Sequence, residues 1–105
     1  METYFIATRV TPLPDNPLVS KIDEAMVYFW IVEPAAESAM ARANRYLASY
    51  KWKLESVETA PVGVTAADFA DQQEGLKNWW KAKQKGFAAH FVGKPKAGTE
   101  MARKQ

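Results

Sequence analysis

Residues Ala25–Glu33 read AMVYFWIVE, and the fold of this chain turns on how that stretch is read. Met26 through Val32 are all aliphatic or aromatic, and most are β-branched or aromatic. Such a run predicts a strand buried on both faces. Its two faces are Met26, Tyr28, Trp30, Val32 on one side and Val27, Phe29, Ile31 on the other. Residues 2–10 alternate and hold Phe5 and Ile6, which predicts a neighbouring first strand. Between the two strands, Thr11–Asp23 holds Pro12, Pro14 and Pro17. Fixed φ angles and missing donors there exclude a helix or a central strand and predict a stiff hairpin loop, a mere connection sooner than an inserted functional loop.

Downstream of the central strand, Pro34 suits the start of a helix. Ala36, Ala39, Met40, Ala43, Leu47 and Tyr50 then recur at helical spacing, with Glu37, Arg42, Asn44 and Arg45 mostly opposite. Lys51–Thr59, with Trp52, Leu54 and Val57, reads as a third strand near an edge, and Pro61–Val64 as a turn. Strand, helix and strand in succession predict a right-handed crossover if the two strands are parallel. Thr65-x-x-Asp68 resembles a capping box that opens a second helix with Phe69, Gln72, Leu76 and Trp79 inward. Gly86 after Lys81, Lys83 and Lys85 supplies its stop, and Phe87–Val92 the fourth strand. The expected order is β-β-α-β-α-β. The expected architecture is an α+β two-layer sandwich, a four-stranded mixed sheet with two helices on one face. Residues 1–93 form one domain in this reading, and 94–105 a flexible basic tail.

Composition narrows the function classes. The chain has 105 residues and no cysteine, so disulfides, thiol chemistry and Cys-based metal centres are excluded. No basic leader precedes an apolar segment and no run approaches ~20 apolar residues, so a cytoplasmic protein without a membrane partner is expected. The formal net charge of +2 conceals an asymmetry: six basic against eleven acidic residues over 1–75, eight against one over 76–105. Segregation of this kind marks either an acidic partner or a solvated tail.

No catalytic motif is present. The phosphate-loop, dinucleotide-binding and nucleophile-elbow patterns are missing, and Gly93–Thr99 has P-loop glycine spacing without its lysine. Asp68, Asp71 and Glu74 stand three apart along a helix surface without the convergent oxygens of a cation site, and Asp68 and Asp71 read better as helix-start acids. No metal or cofactor is expected, and the chain reads as a binding or regulatory module sooner than an enzyme. Three sets of residues remain as candidates. Two helices on one face would leave the other side of the sheet bare, so Val27, Phe29 and Ile31 are candidates for a homodimer interface or a protein partner. Lys77, Lys81 and Lys85 form a helical stripe flanked by Trp80, able to hold phosphates and stack a base or to meet another partner. His90, Tyr28 and Tyr46 are candidates for a pocket between sheet and helices, with the lone His90 as a general base or a satisfied structural histidine.

Val32-Glu33-Pro34-Ala35-Ala36-Glu37-Ser38-Ala39, the helix to Tyr50, and Trp52-x-Leu54-x-x-Val57-Glu58 resemble a pattern of small uncharacterised bacterial proteins of the α+β class. The resemblance covers most of 25–92 and implies a domain of unknown function, with no functional residue attached to it.

Overall fold

A computed structural model describes residues 1–96. Four strands form one sheet: β1 (Glu2–Pro12), β2 (Ile22–Glu33), β3 (Trp52–Val64) and β4 (Phe87–Pro95). Helix α1 (Ala36–Ser49) joins β2 to β3; a 3-10 turn (Ala66–Phe69) and helix α2 (Gln73–Lys85) join β3 to β4. The spatial order is β3-β1-β2-β4 and every pairing is antiparallel, so the sheet is not mixed. β2 and β3 both run antiparallel to β1, hence parallel to each other, but β1 lies between them. The crossover expected from β2 to β3 therefore spans an intervening strand.

The helices do not share a face. Val27, Phe29 and Ile31 pack with Ile6, Val10 and the α1 residues Ala39, Ala43 and Leu47. Trp30 packs with Ala88, with Phe69 of the 3-10 turn and with Trp79 and Ala82 of α2. Successive residues of a strand point to opposite faces, so α1 covers one side of β2 and α2 the other. This overturns the expectation of a bare face: Val27, Phe29 and Ile31 are each 0% exposed and cannot be an interface without unfolding. The physical cause is the doubly apolar strand itself, which needs a helix on each side.

Several local expectations stand, and several boundaries move. Gly86 ends α2 in the left-handed region (φ 86°), where a side chain would be strained. Asp68 accepts the Thr65 backbone N–H at 2.7 Å, but the turn it opens is 3-10 and α2 begins only at Gln73. β3 runs on through the residues read as a turn, with Pro61 inside a register irregularity between the Ala7 and Phe5 pairings, a place where a strand tolerates proline. Lys94 and Pro95 belong to β4 and not to a tail, while residues 97–105 lie outside the described residues. The proline-rich loop is a fixed piece of the frame. Buried Asn16 donates from Nδ2 to the carbonyls of Tyr50 (3.2 Å) and Lys51 (2.9 Å) and accepts from the Leu18 N–H (2.8 Å). It thus pins the loop to the carbonyls just beyond the end of α1, where the Leu13 N–H also donates to the Lys51 carbonyl at 2.9 Å.

Candidate functional site

Two of the four strands are edges, and they are built differently. β3 carries Lys53, Glu55 and Glu58, a proline and three register irregularities against β1, devices that discourage strand addition. β4 reads Phe-Ala-Ala-His-Phe-Val over residues 87–92, without charge or proline, and carries Lys94 and Pro95 only at its far end. Val32 N–H donates to the Gly86 carbonyl at 3.1 Å, and Ile31 stands opposite Phe87. Antiparallel pairing then alternates along β4. Ala88, His90 and Val92 bond to β2, while the N–H and C=O groups of Phe87, Ala89 and Phe91 point outward. Among the described residues, no strand pairs with them.

A groove follows this edge on the α1 side. At one end Arg42, Arg45, Tyr46, Ser49 and Phe87 line a shallow basin. The Arg42 guanidinium sits 5.3 Å from the Phe87 ring centre, donates to the Gly86 carbonyl (3.1 Å) and pairs with Glu33 (3.2 Å). Arg45 is exposed and makes no ion pair among the described residues. At the other end Tyr46, Tyr50, Trp52 and Phe91, with Leu18 of the pinned loop, enclose a cleft of about 310 Å³. Tyr46 belongs to both ends and touches Phe87 (5.0 Å between centroids) and Tyr50 (4.7 Å). Burial, with Tyr50 beside it, pushes the Tyr46 hydroxyl above its ordinary titration range, so it stays a neutral hydrogen-bonding group near pH 7. Phe91 is 37% exposed for so large an apolar side chain. Cationic at one end and aromatic at the other, the groove offers a place for alternate side chains of an added strand.

On the opposite face, His90 stacks on Tyr28 (6.4 Å, 26°), and both line a second cleft under the 3-10 turn with Phe5, Trp30 and Phe69. Glu74 at the start of α2 brings its carboxylate to 3.4 Å from His90 Nδ1. The fold thus unites His90 with Tyr28 but sets Tyr46 on the other side of the sheet. Lys77, Trp80, Lys81 and Lys85 all lie exposed along the outer side of α2, Trp80 against the inward Trp79. Sequence reasoning missed Arg42, Arg45, Tyr50, Phe87 and Phe91 as a set. The signal was present in Arg42, Tyr46 and Ser49–Tyr50, one side of α1 at steps of three and four, but it names no partner until the position of β4 is known.

Among the described residues no group of three or more His, Cys, Asp or Glu side chains converges to hold a metal ion, and no helix is long and apolar enough to cross a membrane. Compared with family models, curated proteins and solved structures, the chain matches none.

Proposed function

We propose that this protein is a small binding module that captures an extended, acidic polypeptide segment as a fifth strand along β4. The observation that carries the reading is the row of outward backbone groups at Phe87, Ala89 and Phe91 beside a groove with a cationic and an aromatic end. In strand addition, main-chain bonds supply affinity and alternate side-chain pockets supply specificity. The residue opposite Phe87 would be acidic, facing Arg42 and Arg45, and the residue four positions away, opposite Phe91, large and apolar. The expected homodimer moves with this reading from the sheet face to the sheet edge. There it is the weaker occupant, because pairing β4 with β4 brings Arg45, Lys85 and Lys94 of both copies to one seam.

The test is fluorescence polarisation with a labelled seven-residue peptide whose glutamate and phenylalanine stand four apart. Saturation in the range of about 1–100 μM is expected, weakened about tenfold by lysine in place of the glutamate. Ala89→Pro removes one outward donor and leaves the β2 ladder whole, so it too should weaken binding about tenfold or more. No saturation, or equal binding by Ala89→Pro, overturns the reading. So does a light-scattering mass of a dimer that Ala89→Pro splits, which would give the edge to a second copy.

A second reading, single-stranded nucleic acid on Lys77, Trp80, Lys81 and Lys85, draws on the 52% exposure of Trp80 among those lysines. It requires oligonucleotide binding that falls steeply with salt and is lost in Lys81→Glu; no binding at low salt removes it.

A further inference from the structure

We infer that the cleft under the 3-10 turn is a binding site for a small, neutral, flat heterocycle that presents a hydrogen-bond donor beside an acceptor, as a lactam ring does. The inference is independent of strand capture on β4, which uses the other side of the sheet.

The cleft is prepared by a chain of contacts that begins inside α2. Buried Asn78 donates from Nδ2 to the Glu74 carbonyl (2.9 Å) and to Glu74 Oε2 (3.3 Å), which holds the carboxylate in place. That carboxylate faces His90 Nδ1. In the neutral imidazole it favours the proton on Nδ1, which leaves Nε2 as an acceptor. The same sheet face supplies the complementary group. Trp30 is 3% exposed, and its indole N–H has no acceptor among the described residues. Its close neighbours are the rings of Phe5 and Phe69, whose π faces accept hydrogen bonds only weakly. A buried donor without an acceptor is rare in native structures and calls for an explanation. A ligand carbonyl provides one.

Register sets the two residues side by side in the lining of one cleft. Trp30 pairs with Ala88 and Tyr28 with His90, so Trp30 and His90 are diagonal neighbours on one face, about 7–8 Å apart at the backbone. The space between is about 290 Å³, at the small end for ligand sites. Its aromatic walls favour a flat ring. Gly75 keeps that shape, since a Cβ there would stand 2.6 Å from Phe69 Cδ1. Glu74 in the lining repels an anion, so the ligand is not anionic.

The probe is 2-pyridone, titrated into isotope-labelled whole protein and followed by the Trp30 indole N–H resonance, identified by its loss in Trp30→Phe. A saturable downfield shift at about 1–10 mM is expected, with N-methyl-2-pyridone, which lacks the donor, bound about tenfold more weakly. His90→Phe keeps the stack on Tyr28 but not the acceptor, and should weaken 2-pyridone by a similar factor. Glu74→Gln, at an exposed side chain, frees the imidazole tautomer and should weaken it about threefold, a readout that stands if His90→Phe fails to fold. An indole resonance that stays put to about 50 mM overturns the inference. Equal affinity for the N-methyl analogue, or for Glu74→Gln, overturns it as well.

Discussion

Phe29 and Tyr28 are chain neighbours on the same strand, yet one is 0% exposed beneath α1 and the other half-buried at the mouth of a cleft. The contrast extends across the whole sheet. On the α1 side a stripe of alanines (Ala36, Ala39, Ala43) lets the helix lie close, and the interior below it is closed and apolar. A fully buried hydroxyl there, on Thr8, donates to the Val27 carbonyl at 3.0 Å. On the α2 side the inner surface mixes Gly75, Asn78, Trp79 and Ala82, and the chain must travel from the β3 edge to the β4 edge. Helix and turn cover one end of that face and leave Arg9, Met26 and Val92 around a hollow at the other. Close packing concentrates stability at the centre of the first side and leaves its clefts at the β4 edge; on the second, incomplete cover opens the face itself to polar groups and a ligand.

The largest effect expected is on the closed side. Phe29→Ala should cost about 3–5 kcal/mol in chemical denaturation, since a cavity forms where nothing can collapse into it. Tyr28→Ala, already open to solvent, should cost less than about 2 kcal/mol. Equal losses would erase the distinction between the faces. A smaller effect belongs to Gly75. Alanine there gains about 1 kcal/mol of helix propensity but crowds Phe69, so a net loss of about 1 kcal/mol is expected, with a lower melting temperature. A rise in melting temperature would show that Phe69 moves freely and that the hollow beside it is not a fixed shape. The smallest effect is in alkali. The folded-state Tyr46 hydroxyl titrates above its ordinary value of 10.0, so the folded chain holds the proton where the unfolded chain has released it. That contribution is complete below pH 10 and falls away as pH rises through the higher folded value. Tyr46→Phe should flatten the slope of stability against pH in that window, and an unchanged slope would exclude Tyr46 as its source.

Features settled within a few residues were legible from the sequence. Val27–Ile31 as a strand, the alanine stripe of α1, the Thr65–Asp68 pairing and the Gly86 stop each depend on local spacing or on one dihedral angle. Features set by long-range placement were not. A helical stripe states that a helix packs, but not on which face, and the α2 stripe was assigned to the α1 side for that reason. Pro61 marks a turn by local rules, yet an edge strand accepts it at an irregularity. Glu74 reads as one of three acids spaced along a helix surface, and only the fold brings His90 to it. Of the residues expected around a pocket, His90 and Tyr28 meet through register, whereas Tyr46 faces away across the sheet.

The sheet order has a consequence for the life of the chain before folding is complete. β1 and β2 are joined by a short loop and can pair early, but β4 comes last in sequence and arrives only after β3, the 3-10 turn and α2 have been laid across the sheet. Until then the outer edge of β2 is the unpaired ladder of Met26–Val32, seven residues of high β-propensity without charge or proline. β4 therefore shields the most aggregation-prone segment of the molecule from other chains. Any change that slows its docking should show first as loss of soluble protein during synthesis, ahead of any loss of stability in the finished fold.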